Sequence, residues 1–210
     1  MAAVPATEDV GALWHLTLQR AVSRAAHDVK DALNGVSVNL EVIRSRAARP
    51  DMPASALAPF GEAAGHQLER LTILIEAVLA LSRPERTPAD VAPALRRIVT
   101  LCGASASHAD ASVRMDGDDS AGSTISRVRG DVVCLALAAP LLEFTTGGDR
   151  SRRASEVICR LAGDDDAIRV VITAEGRRAS MPEFAAGVLR SAGVRWTEGS
   201  QDLSLAFPRI

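Results

Sequence analysis

The chain has 210 residues, enough for one or two domains, and its 47% hydrophobic and 24% charged residues allow a buried core. Its 24 basic and 26 acidic residues leave a net charge of −2, so no overall positive field exists to hold nucleic acid or an anionic membrane. Aromatic residues are only 3% and tyrosine is absent, which argues against stacking platforms for single strands and leaves the core to Leu, Val, Ile and Ala.

Cys102, Cys134 and Cys159 are odd in number and widely spaced, the pattern of buried thiols in a reducing compartment. Residues 1–9 lack the basic and apolar regions of a leader, and no apolar run reaches the roughly 18 residues of a membrane span. The expected location is cytoplasmic.

In chain order, residues 8–49 read as one long helix that ends where Arg49 meets Pro50. Ala26, Val29, Leu33, Val36, Leu40 and Ile43 form a heptad stripe along it, and Gly35 is its interior breaker, costing about 1 kcal/mol against Ala. After a short connection at 50–53, residues 54–82 read as a second amphipathic helix, with Leu57, Phe60, Ala64, Leu68, Leu71, Ile75, Val78 and Leu81 at three/four spacing and Pro84 as its stop. A short link between two long amphipathic helices makes an antiparallel hairpin. One hairpin buries a single seam, whereas two make a four-helix bundle, so a homodimer is expected.

A boundary falls at 83–90, giving a helical hairpin over 1–86 and a second domain over 87–210. In the second part, 91–101 reads as a helix, 111–115 as a strand, 116–123 as a Gly/Asp/Ser loop and 124–128 as a short strand. Residues 132–144 read as a helix broken by Pro140. Strands are expected at 155–161 and 167–173 around a Gly163-Asp164-Asp165 turn, a helix at 183–192, and a last strand at 203–207. The whole is α+β: a hairpin, then helices on one face of a mostly antiparallel sheet.

The informative segment is His27-Asp28-Val29-Lys30-Asp31-Ala32-Leu33-Asn34-Gly35-Val36. If Ala26 and Val29 face the seam, His27 lies just off it on a solvated flank, with Asp31 and Asn34 on the same face at +4 and +7. An imidazole is neutral over part of the physiological range and hence nucleophilic. Asp28 is placed to orient the ring proton so that the other nitrogen presents its lone pair, and Lys30 to attract phosphoryl oxygens. Spacing alone leaves open whether His27 is functional or an ordinary surface histidine.

This segment resembles the H-box of sensor histidine kinases, in which a His is followed by Glu or Asp, any residue, Arg or Lys, Asn or Thr, and Pro-Leu. His27, Asp28, Lys30 and Leu33 match; Asp31 stands where Asn or Thr is usual, and Ala32 replaces the proline. Leu79-Ala80-Leu81-Ser82-Arg83-Pro84-Glu85 resembles the end of that family's second dimerisation helix, and 90–115 the start of its ATPase domain. The family's nucleotide site needs an asparagine-bearing helix, an Asp-x-Gly turn and a glycine-rich lid. Here the corresponding helix has no asparagine, Ala174-Glu175-Gly176 stands where the adenine-binding aspartate belongs, and there is no room for a lid between Gly176 and Phe184. With those groups absent, productive ATP binding is not expected.

A kinase-like hairpin with a degenerate ATPase-like α/β sandwich resembles the histidine phosphotransferases of phosphorelays. The resemblance implies a two-component carrier: His27 takes a phosphoryl group from one receiver-domain aspartate and yields it to another. It implies response-regulator receiver domains as partners, Asn34, Gly35 and Val38 as docking residues, and Mg2+ supplied by the receiver, with no cofactor of this chain's own. The alternative is a pseudokinase scaffold or kinase inhibitor that docks through the hairpin, favoured by the added negative charge of Asp31. An active kinase with an unrecognised nucleotide site ranks last. His15, His66 and His108 have no partner at metal spacing, and Asp164-Asp165-Asp166 lacks the alternation of a calcium loop. Arg150, Arg152 and Arg153, after Gly147-Gly148, read as a solvated basic edge.

Overall fold

The computed structural model describes residues 7–84, 88–106, 112–116, 123–146, 156–163 and 166–210. His108, Gly147-Gly148, the Arg150, Arg152 and Arg153 cluster, and Asp164-Asp165 lie outside them. Helix α1 (Thr7–Ala47) carries Arg44 and Arg46 in its last turn, where cations offset the helix dipole. A single 3-10 turn (Ala54–Ala56) leads into helix α2 (Ala58–Ser82), which opens with a proline in its first turn. The two helices pack as an antiparallel hairpin, with Arg46 stacked 4.5 Å over the Phe60 ring near the tip.

On α1 the inner seam differs from the expected stripe by a rotation of one position, whereas on α2 Ala64, Leu71 and Leu81 of the expected stripe are buried. Ala21, Ala25, Asp28 and Ala32 of α1 are buried, against Ala64, Leu71, Leu74 and Ala77 of α2. Leu33 and Leu40, together with Leu68 and Ile75, are instead about half exposed. Each helix therefore carries two adjacent apolar stripes. The small residues at 21, 25 and 32 let the helices approach closely, so the small stripe of α1 faces inward and Leu33 and Leu40 face out.

The second part begins with strand β1 (Ala89–Asp90) and helix α3 (Val91–Ala106). The Asp90 carboxylate accepts the Ala92 N–H at 3.3 Å and the Thr124 hydroxyl, which caps α3 and ties β1 to strand β3 (Ile125–Ser126). Strand β2 (Ser112–Met115) precedes β3, and helix α4 (Gly130–Thr146) follows it. Strands β4 (Glu156–Gly163) and β5 (Ala167–Ala174), helix α5 (Glu183–Ser191), and strands β6 (Arg195–Glu198) and β7 (Asp202–Pro208) complete the chain. The main sheet has the order β2-β4-β5-β7-β6, antiparallel except for the parallel pair β2–β4 that flanks α4 in the chain. Its register aligns Cys159, Ile172 and Leu203 in one row and Val170 with Leu205 in another, all buried beneath the helices. The opposite face carries Arg114, Arg160, Arg169 and Arg195 into solvent.

Pro140 does not break α4. It forgoes one backbone bond, a cost of about 3 kcal/mol in a helix interior. Apart from the exposed Glu143, the helix is buried from Gly130 to Thr145: Leu135, Leu137, Leu141 and Phe144 are each wholly buried, at about 1.5–3 kcal/mol apiece. That burial outweighs the lost bond. The same core takes in Val10, Trp14, Leu18, Ala21 and Ala25 of α1, and the Trp14 indole N–H donates to the Leu81 carbonyl at 3.2 Å. The base of the hairpin is thus part of the α/β core. No helix among the described residues is long and apolar enough to cross a membrane.

Candidate functional site

His27 stands on the outer flank of α1, above the stretch embedded in the α/β core, with 64% of its side chain exposed. Its Nδ1 lies 3.2 Å from Asp31 Oδ2, one helical turn on. At that distance Nδ1–H donates to the carboxylate, which selects the tautomer in which Nε2 carries the lone pair. The long helix holds the backbone of both residues rigidly, so the ring is oriented by a partner on the same element.

Asp28 stands elsewhere than expected. Instead of flanking the ring on the outside, it turns into the hairpin seam, where its side chain is 1% exposed and Oδ2 accepts from Arg70 Nη2 of α2 at 3.0 Å. The orienting role expected of Asp28 therefore passes to Asp31 in this geometry. The reason is the rotated seam: with Ala25 and Ala32 facing inward, position 28 lies between them on the same stripe. Spacing along α1 does not reveal Arg70. The available clue is chemical, since a carboxylate on an inner stripe requires a cation from the facing helix.

Of the other expected site residues, Lys30, Asn34 and Val38 are exposed, and Asn34 and Val38 continue the His27–Asp31 stripe at +7 and +11. Val38 is 62% exposed and so does not pack against α2. Gly35 is on a different side. A Cβ there would meet the Gln67 side chain of α2 at 3.5 Å, so this glycine faces the seam and not the open flank.

Around the expected nucleotide site, α4 carries no asparagine between Gly130 and Thr146. Ala174 is buried at the end of β5, and Gly176 turns the chain with a φ of 74°. Arg177 then reaches back to α4, donating to the Glu143 carbonyl at 2.6 Å and to its carboxylate at 3.1 Å, beside the Phe144 ring. The connection between β5 and α5 is thereby clamped onto the end of α4. Among the described residues, no group of three His, Cys, Asp or Glu side chains is placed to hold a metal ion.

No family model matches the chain, and no curated protein matches it in sequence. Among solved structures, it is similar to the Acinetobacter baumannii histidine kinase AdeS, with a TM-score of 0.39 and 14% identity, covering 87% of this chain and 97% of that one.

Proposed function

We propose that this chain is a histidine phosphotransferase of two-component signalling that relays a phosphoryl group between receiver-domain aspartates through His27. The observation that carries the reading is an imidazole that is 64% exposed on the flank of α1, with its Nδ1 3.2 Å from Asp31 Oδ2. The resemblance of 27–36 to an H-box supports it.

In this reading, Nε2 attacks the phosphorus of an aspartyl phosphate in line. A P–N bond forms as the P–O bond to the aspartate breaks, and the carboxylate leaves with the electron pair. The Nδ1 proton stays between the ring and Asp31, which stabilises the positive charge that develops on the imidazole. The reverse step delivers the phosphoryl group to a second receiver. Lys30 lies on the same flank to attract phosphoryl oxygens, Asn34 and Val38 line the docking surface, and the magnesium ion belongs to the receiver's acidic pocket. The outward leucines at 33 and 40, with Leu68 and Ile75, supply the second seam that a homodimeric four-helix bundle requires.

The exposed leucines and Val38 also suit a scaffold or inhibitor that docks through the hairpin without phosphorylation. One experiment separates the two readings: transfer from a panel of phosphorylated receiver domains to the purified protein, beside His27→Ala. Acid-labile label on wild type and none on the variant supports the carrier. Receiver binding without label, equal in wild type and variant, sinks the carrier and leaves the scaffold.

A further inference from the structure

A group that accepts a phosphoryl anion is slowed by negative charge beside it. Within one turn of His27, α1 carries two carboxylates, Asp28 and Asp31, and two cations, Arg24 and Lys30. These four charges balance. The facing helix breaks the balance: Arg70 of α2 reaches across the seam and sets Nη2 3.0 Å from Asp28 Oδ2. Asp28 is 1% exposed, so water screens its charge poorly and a protein cation has to do so. Asp31 serves the ring instead, with Oδ2 3.2 Å from Nδ1. Side chains three apart on a helix lie about 5–6 Å from each other, so the charge at Asp28 is felt beside the Asp31-bound imidazole.

We propose that Arg70 is a positioning residue for phosphoryl transfer to His27: it holds Asp28 in the seam and cancels the charge of that carboxylate. The surroundings of the ring then carry three cations, Arg24, Lys30 and Arg70, against the two carboxylates, and an incoming anion is attracted. Asp28 itself takes no proton and orients no ring. The assignment rests on the reading of His27 as a phosphoryl acceptor. One unit of charge about 7 Å from an approaching anion, in water-like surroundings, alters the rate about threefold.

The test compares two small electrophiles that modify the same imidazole and need no receiver. Phosphoramidate is anionic: Nε2 bonds to phosphorus as the donor's P–N bond breaks, and the nitrogen leaves as ammonia. Diethyl pyrocarbonate is neutral. Both react with the full-length protein at pH 8, where an imidazole is mostly uncharged, and modification of His27 is followed by peptide mass spectrometry. Arg70→Gln is expected to slow phosphoramidate labelling about threefold, and Arg70→Lys to keep the wild-type rate. Asp28→Asn, which still offers Arg70 an acceptor, is expected to speed labelling about threefold, and Asp28→Asn/Arg70→Gln to return it to the wild-type rate. These differences should shrink in 1 M salt, and the diethyl pyrocarbonate rate should stay level across the series.

Should Arg70→Gln fail to fold, Asp28→Asn carries the test alone. The proposal is overturned if Asp28→Asn slows labelling, if Arg70→Gln labels as fast as wild type, or if the two electrophiles change in parallel, as a purely structural role would require. The expected order of rates with phosphoramidate, but no label from any receiver, would sink the relay and leave the assignment of Arg70 standing.

Discussion

Replacing Arg70 with alanine tests the anchor beneath the histidine. The substitution removes a guanidinium 3.0 Å from a carboxylate whose side chain is 1% exposed, while Arg70 itself is 49% exposed. A charge-assisted hydrogen bond contributes about 1.5–3 kcal/mol. Screening at the half-exposed arginine lowers that range, and the desolvated state of Asp28 raises the cost of removing the cation. Arg70→Ala is therefore expected to destabilise the protein by about 2 kcal/mol. The assay is urea denaturation followed by circular dichroism at fixed protomer concentration, combined with Asp28→Asn in a double-mutant cycle. The expected coupling between the two sites is about 1–2 kcal/mol. A coupling within about 0.3 kcal/mol of zero would refute the claim that this pair anchors the hairpin.

Asp31→Asn keeps an acceptor beside Nδ1 and removes its charge; since charged hydrogen bonds are roughly twice as strong as neutral ones, phosphoryl acceptance by His27 should slow by roughly tenfold with stability unchanged. Single-turnover transfer from a phosphorylated receiver measures this, and an unaltered rate would remove Asp31 from the mechanism. Gly35→Ala should raise stability by about 0.5–1 kcal/mol, because the added Cβ meets only the flexible Gln67 side chain at 3.5 Å and the helix gains propensity. A lower urea midpoint would show that the seam at Gly35 has no space. Burial pushes the thiols of Cys102 and Cys159 up to about 12 from 9.0. Their contribution to stability is fully present below pH 9.0 and is lost as pH rises toward 12, so denaturation midpoints should fall across that window. Replacing both cysteines with alanine should flatten that part of the profile.

The hairpin was legible in the residues because the three/four apolar spacing is long and the prolines at 50 and 84 punctuate it. The sheet strands β4 and β5 were legible from their β-branched residues, and β7 from the alternation of apolar and polar residues at 203–207. Strand β6 was not, since Arg195-Trp196-Thr197-Glu198 has no apolar alternation; it is an edge strand and is held by its pairing to β7. The helix through Pro140 was misread because proline's local cost is visible in sequence, and the enclosing core that overrides it is not.

The sequence by itself determined the presence of a two-helix hairpin, the position of His27 on its first helix, and the absence of asparagine from α4. Only the tertiary structure decided which of two adjacent apolar stripes faces inward. That choice depends on how closely the helices approach, and on α1 it places alanines at the seam and Leu33 and Leu40 outside. The same rotation sends Asp28 inward to Arg70 and leaves Asp31 to hold the imidazole. Successive residues on a helix differ by about 100° in direction, so one step in the seam exchanges the structural carboxylate with the one beside the ring.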